Sequence, residues 1–277
     1  EEDRSPALRA AALRLLPDGH AALSIDHLTR VAGSEDAALR REAVRALVTS
    51  TAAERFPVLA EVAADGDAPA GLRADAVVGL AAHPASIESH LKALAASAPP
   101  EVAAEARRLL NPPSGAAEDK PSPDDLEAWR ALVGGGGDAE AGWRVFFRPG
   151  GVGCSRCHTL GGRGTAVGPD LTGIGRRMNR DRLIESILRP GKEVAPQYVP
   201  WTLVTADGRV LTGLPVEVRD APEGVEHFVG TDGVRFTLPT AEVETRQAST
   251  GSVMPEGLEK LMTTEELRDL LALLESD

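Results

Sequence analysis

The first 113 residues repeat a short helical pattern of apolar positions. Four segments align, each with a large apolar residue, an alanine four residues later and a leucine four residues after that. Spacings of four place the three side chains on one helical face, and the small alanine lets a neighbouring helix approach closely. The pattern therefore predicts four helices with these buried stripes: Leu8, Ala12 and Leu16; Leu39, Ala43 and Leu47; Leu72, Ala76 and Leu80; Val102, Ala106 and Leu110.

Partner helices are predicted between these segments, near Ala21–Ala32, Pro57–Ala64 and Ser86–Ala96. Units of this kind bury their apolar faces only against neighbouring units, so a stacked array is expected. The stretch from Leu39 to Leu47 resembles the second helix of a HEAT repeat, which implies an α-solenoid. Because the pattern opens on a second helix, we expect the natural protein to continue upstream.

The stretch Asn111–Pro123 is rich in proline, alanine and charge. Residues 114–122 within it are predicted to link the repeats, 1–113, to a second domain, 123–277. That domain carries further helical patterns with polar N-caps and apolar stripes. Its predicted helices are a segment capped by Ser122 that buries Leu126, Trp129 and Leu132, and then Asp138–Phe147, Arg180–Leu188 and Thr264–Glu275.

The period changes to that of strands at about residues 199–247, before the last helix. Asp207-Gly208 and Asp232-Gly233 interrupt two apolar runs in this stretch, and such pairs are strong hairpin signals. We therefore expect a small antiparallel sheet inserted within a mainly helical domain.

The chain contains two cysteines, both in the motif Cys154-Ser155-Arg156-Cys157-His158. A structural zinc site needs a second ligand pair, and a thioredoxin-like pair occupies a strand–helix context rather than one rich in glycine and arginine. C-x-x-C-H is instead the pattern of covalent c-type haem attachment, in which the thiols bind the vinyl groups and the histidine binds the iron. The motif predicts one haem c, covalent through Cys154 and Cys157, with His158 as an axial ligand.

Charge and composition limit the classes of partner that the chain could bind and indicate where it is located. A net charge of −12 argues against non-specific nucleic-acid binding. The chain contains no run of 18 apolar residues, which is about the length needed to span a membrane. From Arg144 to Lys192, ten basic residues accompany three acidic ones, so the motif lies in the basic part of an acidic chain. The first four residues do not form a signal peptide. Since c-type cytochromes are matured outside the cytoplasm, we expect an extracytoplasmic protein whose signal was removed or lies upstream.

Six segments from about Pro121 to the C-terminus resemble, in order, the haem-binding cytochrome c domain of Planctomycete/Verrucomicrobium type. Members of this family look like large secreted dehydrogenase-like proteins with a β-propeller, HEAT repeats and a terminal cytochrome c domain. The matching segments are Gly142–Phe147, Cys154–His158, Gly168–Thr172, Ile184–Pro190, Thr205–Arg209 and Met254–Leu258.

The resemblance implies a class I-like cytochrome c fold and roles for five residues. Gly142 permits close crossing of the first helix by the last helix. The backbone carbonyl of Pro169 accepts a hydrogen bond from His158 Nδ1, which fixes the ring, and Leu171 packs on the haem. Met254, in a loop stiffened by the following proline, supplies the distal thioether. His158 and Met254 are thus the expected metal ligands.

The sequence leaves alternatives for the second axial ligand of the iron and for the role of the nearby arginines. Met178 and Met262 are expected to serve packing, and His227 is a weaker candidate for a second imidazole ligand, while an iron without any second ligand is the main competitor of Met254. Arginines near the motif could pair with the propionates, steer an acidic redox partner or remain solvated; Arg163, Arg176 and Arg177 are the candidates.

The expected architecture is mainly α: a HEAT-like α-solenoid, then a class I-like cytochrome c fold with a small antiparallel β insertion. The expected function is electron transfer, as the electron-accepting part of a larger dehydrogenase-like protein or with a separate redox partner protein, and without intrinsic catalysis in this chain. Two rivals remain. One is a five-coordinate haem sensor or peroxidase-like enzyme, and the other is a docking scaffold with a structural haem.

Overall fold

A computed structural model describes residues 4–16, 20–81, 85–112, 119–218, 220–230 and 233–276. This part of the chain is mainly helical, with a small antiparallel sheet near its C-terminal end. The α-helices are α1 (Pro6–Leu15), α2 (Ile25–Ala32), α3 (Ala37–Thr49), α4 (Arg55–Ala64), α5 (Ala70–Val78), α6 (Glu88–Ser97), α7 (Pro100–Leu110), α8 (Leu126–Val133), α9 (Ala139–Phe147), α10 (Arg180–Leu188) and α11 (Thr264–Ser276). The strands are β1 (Thr159–Leu160), β2 (Arg163–Gly164), β3 (Trp201–Thr205), β4 (Val210–Pro215), β5 (Val225–Gly230), β6 (Arg235–Pro239) and β7 (Val243–Ala248).

Helices α1 to α7 form a two-layer array. Helices α1, α3, α5 and α7 pack side by side in one layer, and α2, α4 and α6 pack against them in the other. The predicted stripe alanines Ala43, Ala76 and Ala106 are completely buried, which allows the helices of the first layer to approach closely. The sequence pattern thus predicted both the helices and most of their buried faces.

The predicted stripe is wrong in α1. Leu8 is 54% exposed, whereas Ala10 and Leu13 of the same helix are buried. Helix α1 packs chiefly against α3, so only the side chains that face α3 leave water. Burial here follows the position of the neighbouring helix rather than the repeat.

The helices of the second region begin at polar caps. Asp138 and Asn179 cap α9 and α10, as predicted, by accepting bonds of 2.9 and 3.0 Å from the backbone N–H groups of Glu140 and Arg182. The predicted cap of α8 is wrong, because the carboxylate of Asp125 caps this helix, accepting from Ala128 N.

Helix α11 starts with a reciprocal capping box. Thr263 Oγ1 accepts a hydrogen bond from Glu266 N, and Glu266 Oε2 accepts one from Thr263 N, at 3.1 and 2.8 Å. Helix α11 then packs along α9, and the predicted close crossing at Gly142 is confirmed.

Strands β3 to β7 form a five-stranded antiparallel sheet in the order β6-β5-β4-β3-β7. The predicted hairpin at Asp207-Gly208 joins β3 and β4; β5 also pairs with β6 as expected, although Asp232 of the second predicted turn lies outside the described residues. Arg246 on β7 contacts Glu226 on β5 at 2.8 Å although β3 and β4 lie between these strands. The sheet is therefore strongly curled.

Buried ion pairs join the array to the second region. Arg144 on α9, 2% exposed, lies 3.3 Å from Asp75 of α5 and 3.1 Å from Glu105 of α7. Arg148, one turn further along, lies 2.8 Å from Glu266 of α11 and 3.4 Å from Glu105. The boundary predicted at residues 114–122 stays a prediction, because 113–118 fall outside the described residues.

Candidate functional site

The Cys154–His158 motif forms one tight turn. Gly153 precedes it in the left-handed conformation, with φ +83°, and Cys154–Arg156 form a single 3-10 turn. The carbonyl oxygen of Cys154 accepts hydrogen bonds from Cys157 N and His158 N, at 3.1 and 2.9 Å. The motif is thus a closed, hydrogen-bonded turn that leads directly into β1.

Backbone hydrogen bonds hold this turn to the glycine-rich loop that follows. Thr165 N donates to Ser155 O at 3.0 Å, and Gly168 N donates to Cys157 O at 2.7 Å. These bonds bring the loop alongside the motif and bring Pro169 next to the imidazole ring.

The His158 ring is held by a hydrogen bond to the backbone carbonyl of Pro169. Nδ1 lies 2.9 Å from the carbonyl oxygen of Pro169, so the predicted hydrogen bond is present. Burial lowers the pKa of His158, against the opposing effect of that bond. The ring is then neutral at pH 7, with the proton on Nδ1 donated to Pro169 and the lone pair on Nε2.

Gly168 makes room for this ring. A Cβ atom added at Gly168 would lie 2.7 Å from Cε1 and 3.0 Å from Nδ1 of His158. Sequence reasoning identified the proline of this loop but not the steric need for the glycine before it.

Both cysteines are free thiols. Burial raises the pKa of Cys154 to about 12 and also raises the pKa of Cys157, which Arg156 partly offsets. Both groups are therefore protonated at pH 7. Thiolates are the nucleophilic form, so this environment disfavours thiol–disulfide exchange.

The two thiols and the Met254 loop border the same pair of hydrophobic clusters. Cys154, Leu171 and Met254 pack against the main core, which contains the buried faces of α9, α10 and α11. Cys157 and Val253 pack against a second cluster, made by Val167, Leu214 and Val229. Met254 is half-buried. The main core extends from the array to α11, so packing against it does not by itself place Met254 beside His158.

The other candidate residues lie in different settings. Met262 is buried, as expected of a packing residue, but Met178 is 37% exposed and does not fill the core. His227 lies on β5, within the sheet. Arg163 is buried and bound to Glu42 of α3 at 2.7 Å, a partner that the sequence did not suggest, while Arg176 and Arg177 are exposed.

Comparison with known proteins adds no relative. No family model and no curated protein matches this chain.

The cofactor prediction, one haem c covalent through Cys154 and Cys157, is contradicted. Within the described ranges, no group of three or more His, Cys, Asp or Glu side chains could hold a metal ion. The two thiols pack against different hydrophobic clusters. A cavity of about 380 Å³ on the sheet and another of about 170 Å³ beside α1 and α3 are lined by other residues.

A membrane span is likewise not found. None of the helices in the described part of the chain combines the length and apolar character needed to cross a bilayer.

Proposed function

We propose that this chain is an electron-transfer domain carried by a HEAT-like array, with His158 and Met254 as the protein ligands of a redox-active metal. The remaining ligands of the metal would come from outside the chain, since the described residues contain no group of three or more His, Cys, Asp or Glu side chains that could hold a metal ion. The sensor and peroxidase-like alternatives depended on haem and are not proposed.

The observation that carries the proposal is the hydrogen bond between His158 Nδ1 and Pro169 O, at 2.9 Å. Proteins orient metal-binding imidazoles by engaging the second ring nitrogen with a carbonyl or carboxylate, which fixes the tautomer and makes the ligand nitrogen more basic. In His158 this leaves Nε2 as the electron-pair donor.

Met254 supports the same proposal by its position. It lies in the loop before α11 and packs against the same core as Cys154 and Leu171. Its backbone N–H donates to Ser252 Oγ at 3.0 Å, which fixes the loop locally. A thioether ligand beside an imidazole ligand is found at electron-transfer metal sites.

The fold is consistent with this class of protein. The two-layer array supports a HEAT-like solenoid, and the close packing of α9 on α11 supports a class I-like cytochrome c arrangement. The resemblance noted in the sequence implies that the domain accepts electrons from a larger dehydrogenase-like protein.

The test is an anaerobic redox titration of the full chain produced in an oxidising compartment, with metal content measured on the same sample. We expect uptake of one electron and one metal ion per chain, both lost in His158→Ala. Met254→Leu should shift the midpoint potential. Met262→Leu is the matched control, because Met262 is buried in the core at 1% exposure and should leave the potential unchanged.

Two results would refute the proposal. One is no electron uptake at all. The other is uptake of two electrons by an oxidised form in which Cys154 and Cys157 share a disulfide, since this would assign the redox chemistry to the sulfur atoms.

A docking scaffold is the second candidate, and the buried ion pairs of Arg144 and Arg148 favour it. They join α5, α7, α9 and α11 into one unit, which suits a protein that holds a partner in a fixed orientation. A chain that takes up no electrons yet co-purifies in a defined complex would support this function instead.

A further inference from the structure

The hairpin that follows His158 connects the site to the array. Strands β1 and β2 pair through Thr159 with Gly164 and Leu160 with Arg163. Two strands of two residues each are too short to be stable alone, so this hairpin depends on contacts from outside.

Those contacts come from the first and third helices of the array. Arg163 Nη2 lies 2.7 Å from Glu42 Oε2 and 3.0 Å from Glu42 O, and both side chains are largely buried. At the hairpin turn, a Cβ added to Gly162 would lie 2.7 Å from Leu15 Cδ2. Helices α1 and α3 therefore both contact the hairpin, α3 through a largely buried ion pair and α1 through the exposed side chain of Leu15.

The same hairpin is tightly joined to His158. A Cβ added to Gly164 would lie 2.2 Å from the carbonyl oxygen of His158, so the two backbones are in direct contact. Gly161 N donates to Thr172 Oγ1, and Leu171 N donates to Thr159 O, both at 2.9 Å. A displacement of the hairpin would therefore move the loop that carries Pro169.

We propose that Glu42 is a positioning residue for the His158 site, acting through Arg163. In this proposal helix α3, which carries Glu42, fixes the position of the β1–β2 hairpin. The array then helps to form the His158 site. This inference goes beyond the proposed function, since it holds whether or not the site carries electrons.

The test compares Glu42→Gln with Glu140→Gln in the full chain. Glutamine keeps the size of Glu42 and removes the charge that Arg163 binds. Glu140 is the matched control, because it also bridges the array and the second region, through Arg45 at 2.6 Å and Arg41 at 3.2 Å, but it lies on α9.

The readouts are amide hydrogen exchange over residues 159–165 and the rate of alkylation of Cys157 by iodoacetamide at fixed pH. We expect both rates to rise about tenfold or more in Glu42→Gln, and to stay within about twofold of wild type in Glu140→Gln. The charge-reversed pair Glu42→Arg with Arg163→Glu should restore slow exchange. Neither readout needs a redox centre, so failure of the proposed function would not alter them.

Wild-type exchange and alkylation in Glu42→Gln would overturn the inference, as would an equal effect in Glu140→Gln. If Glu42→Gln does not fold, Arg163→Lys provides the test, because lysine keeps the charge but its shorter side chain lacks the Nη2 atom that donates to both Glu42 Oε2 and Glu42 O. Faster exchange confined to 159–165 in that variant supports the inference, and unchanged exchange overturns it.

Discussion

A Cβ atom added to Gly142 would lie 2.2 Å from the backbone carbonyl oxygen of Asp269, so α9 and α11 cross with backbone against backbone. This crossing holds the first helix after the linker against the last helix of the chain. It lies beside the buried arginines of α9 that reach the array.

Gly142→Ala should lower the free energy of unfolding by about 1–3 kcal/mol, because the methyl group forces the two helices apart. Gly71→Ala is the control. Gly71 is also helical, but its added Cβ would meet its nearest neighbour at 3.7 Å, so this change should be neutral or stabilise by up to about 1 kcal/mol. Chemical denaturation of both variants measures the difference, and equal stability would contradict the crossing.

Arg144→Met should cost up to about 3 kcal/mol, because Asp75 and Glu105 lose this buried cation and keep only Arg45, Arg108 and Arg148 as partners. Arg246→Met removes the exposed pair with Glu226 and should cost less than about 1 kcal/mol. Urea denaturation compares the two. A similar small loss in both variants would show that the buried pairs contribute little to stability.

Two carboxylates should give opposite pH dependences. Burial raises the pKa of Asp269 above its ordinary 3.8, whereas hydrogen bonds from Thr172 lower the pKa of Asp170 below 3.8. Ionised Asp269 therefore opposes folding, increasingly as pH rises from about 3.8 through its folded-state pKa. Ionised Asp170 favours folding above pH 3.8, and this contribution is lost as pH falls through its folded-state pKa.

Relative to wild type, Asp269→Asn should thus gain free energy of unfolding as pH rises toward 7, and Asp170→Asn should lose it. Asparagine can still accept the bond that Asp138 N donates to Asp269. Unfolding curves at several pH values give both differences. A gap between variant and wild type that does not change with pH would contradict the assigned carboxylate.

Gly168→Ala should displace the His158 ring, because the new methyl group would lie 2.7 Å from Cε1. The ring would then lose burial, so the pKa of His158 should rise toward its ordinary 6.5. NMR titration of the ring protons measures this. Gly191→Ala, at a position with nothing within 4 Å of the added Cβ, should leave the pKa unchanged.

The two cysteines should titrate as two thiols per chain after unfolding without reductant, because both are free in the structure. Reaction with a chromogenic disulfide, checked by intact-mass spectrometry, counts them. Unreactive sulfur atoms with no disulfide between them would reveal a covalent adduct at Cys154 and Cys157. That result would show that the two cysteines carry a covalent group and are not free thiols.

Local signals predicted the elements well. Spacings of four gave the helices of the array, and the caps Asp138 and Asn179 marked two helix starts. The two errors have different causes. A local pattern does not specify which neighbours bury a helical face, and two polar residues near one helix start compete to cap it. Leu8 fits the stripe but has no helix beside it, and Asp125 lies closer to the true start of α8 than Ser122 does.

The site was predicted only in part, because local patterns do not specify which distant residues become neighbours. The resemblance to the cytochrome c domain implied a bond between His158 and Pro169, and that bond is present. The pairing of Glu42 with Arg163 joins positions 121 residues apart, and no short pattern marks it. The division of Cys154 and Cys157 between two hydrophobic clusters also depends on the sheet, whose curl the hairpin signals alone do not give.

The ion pairs of Arg144 restrict how such a protein can be recombined in evolution. An array transferred to another domain would keep Arg45 beside Asp75 and Arg108 beside Glu105, but both acids would lose the buried Arg144. An incoming helix that carries an arginine at the same place would therefore be favoured over one that presents an apolar side chain.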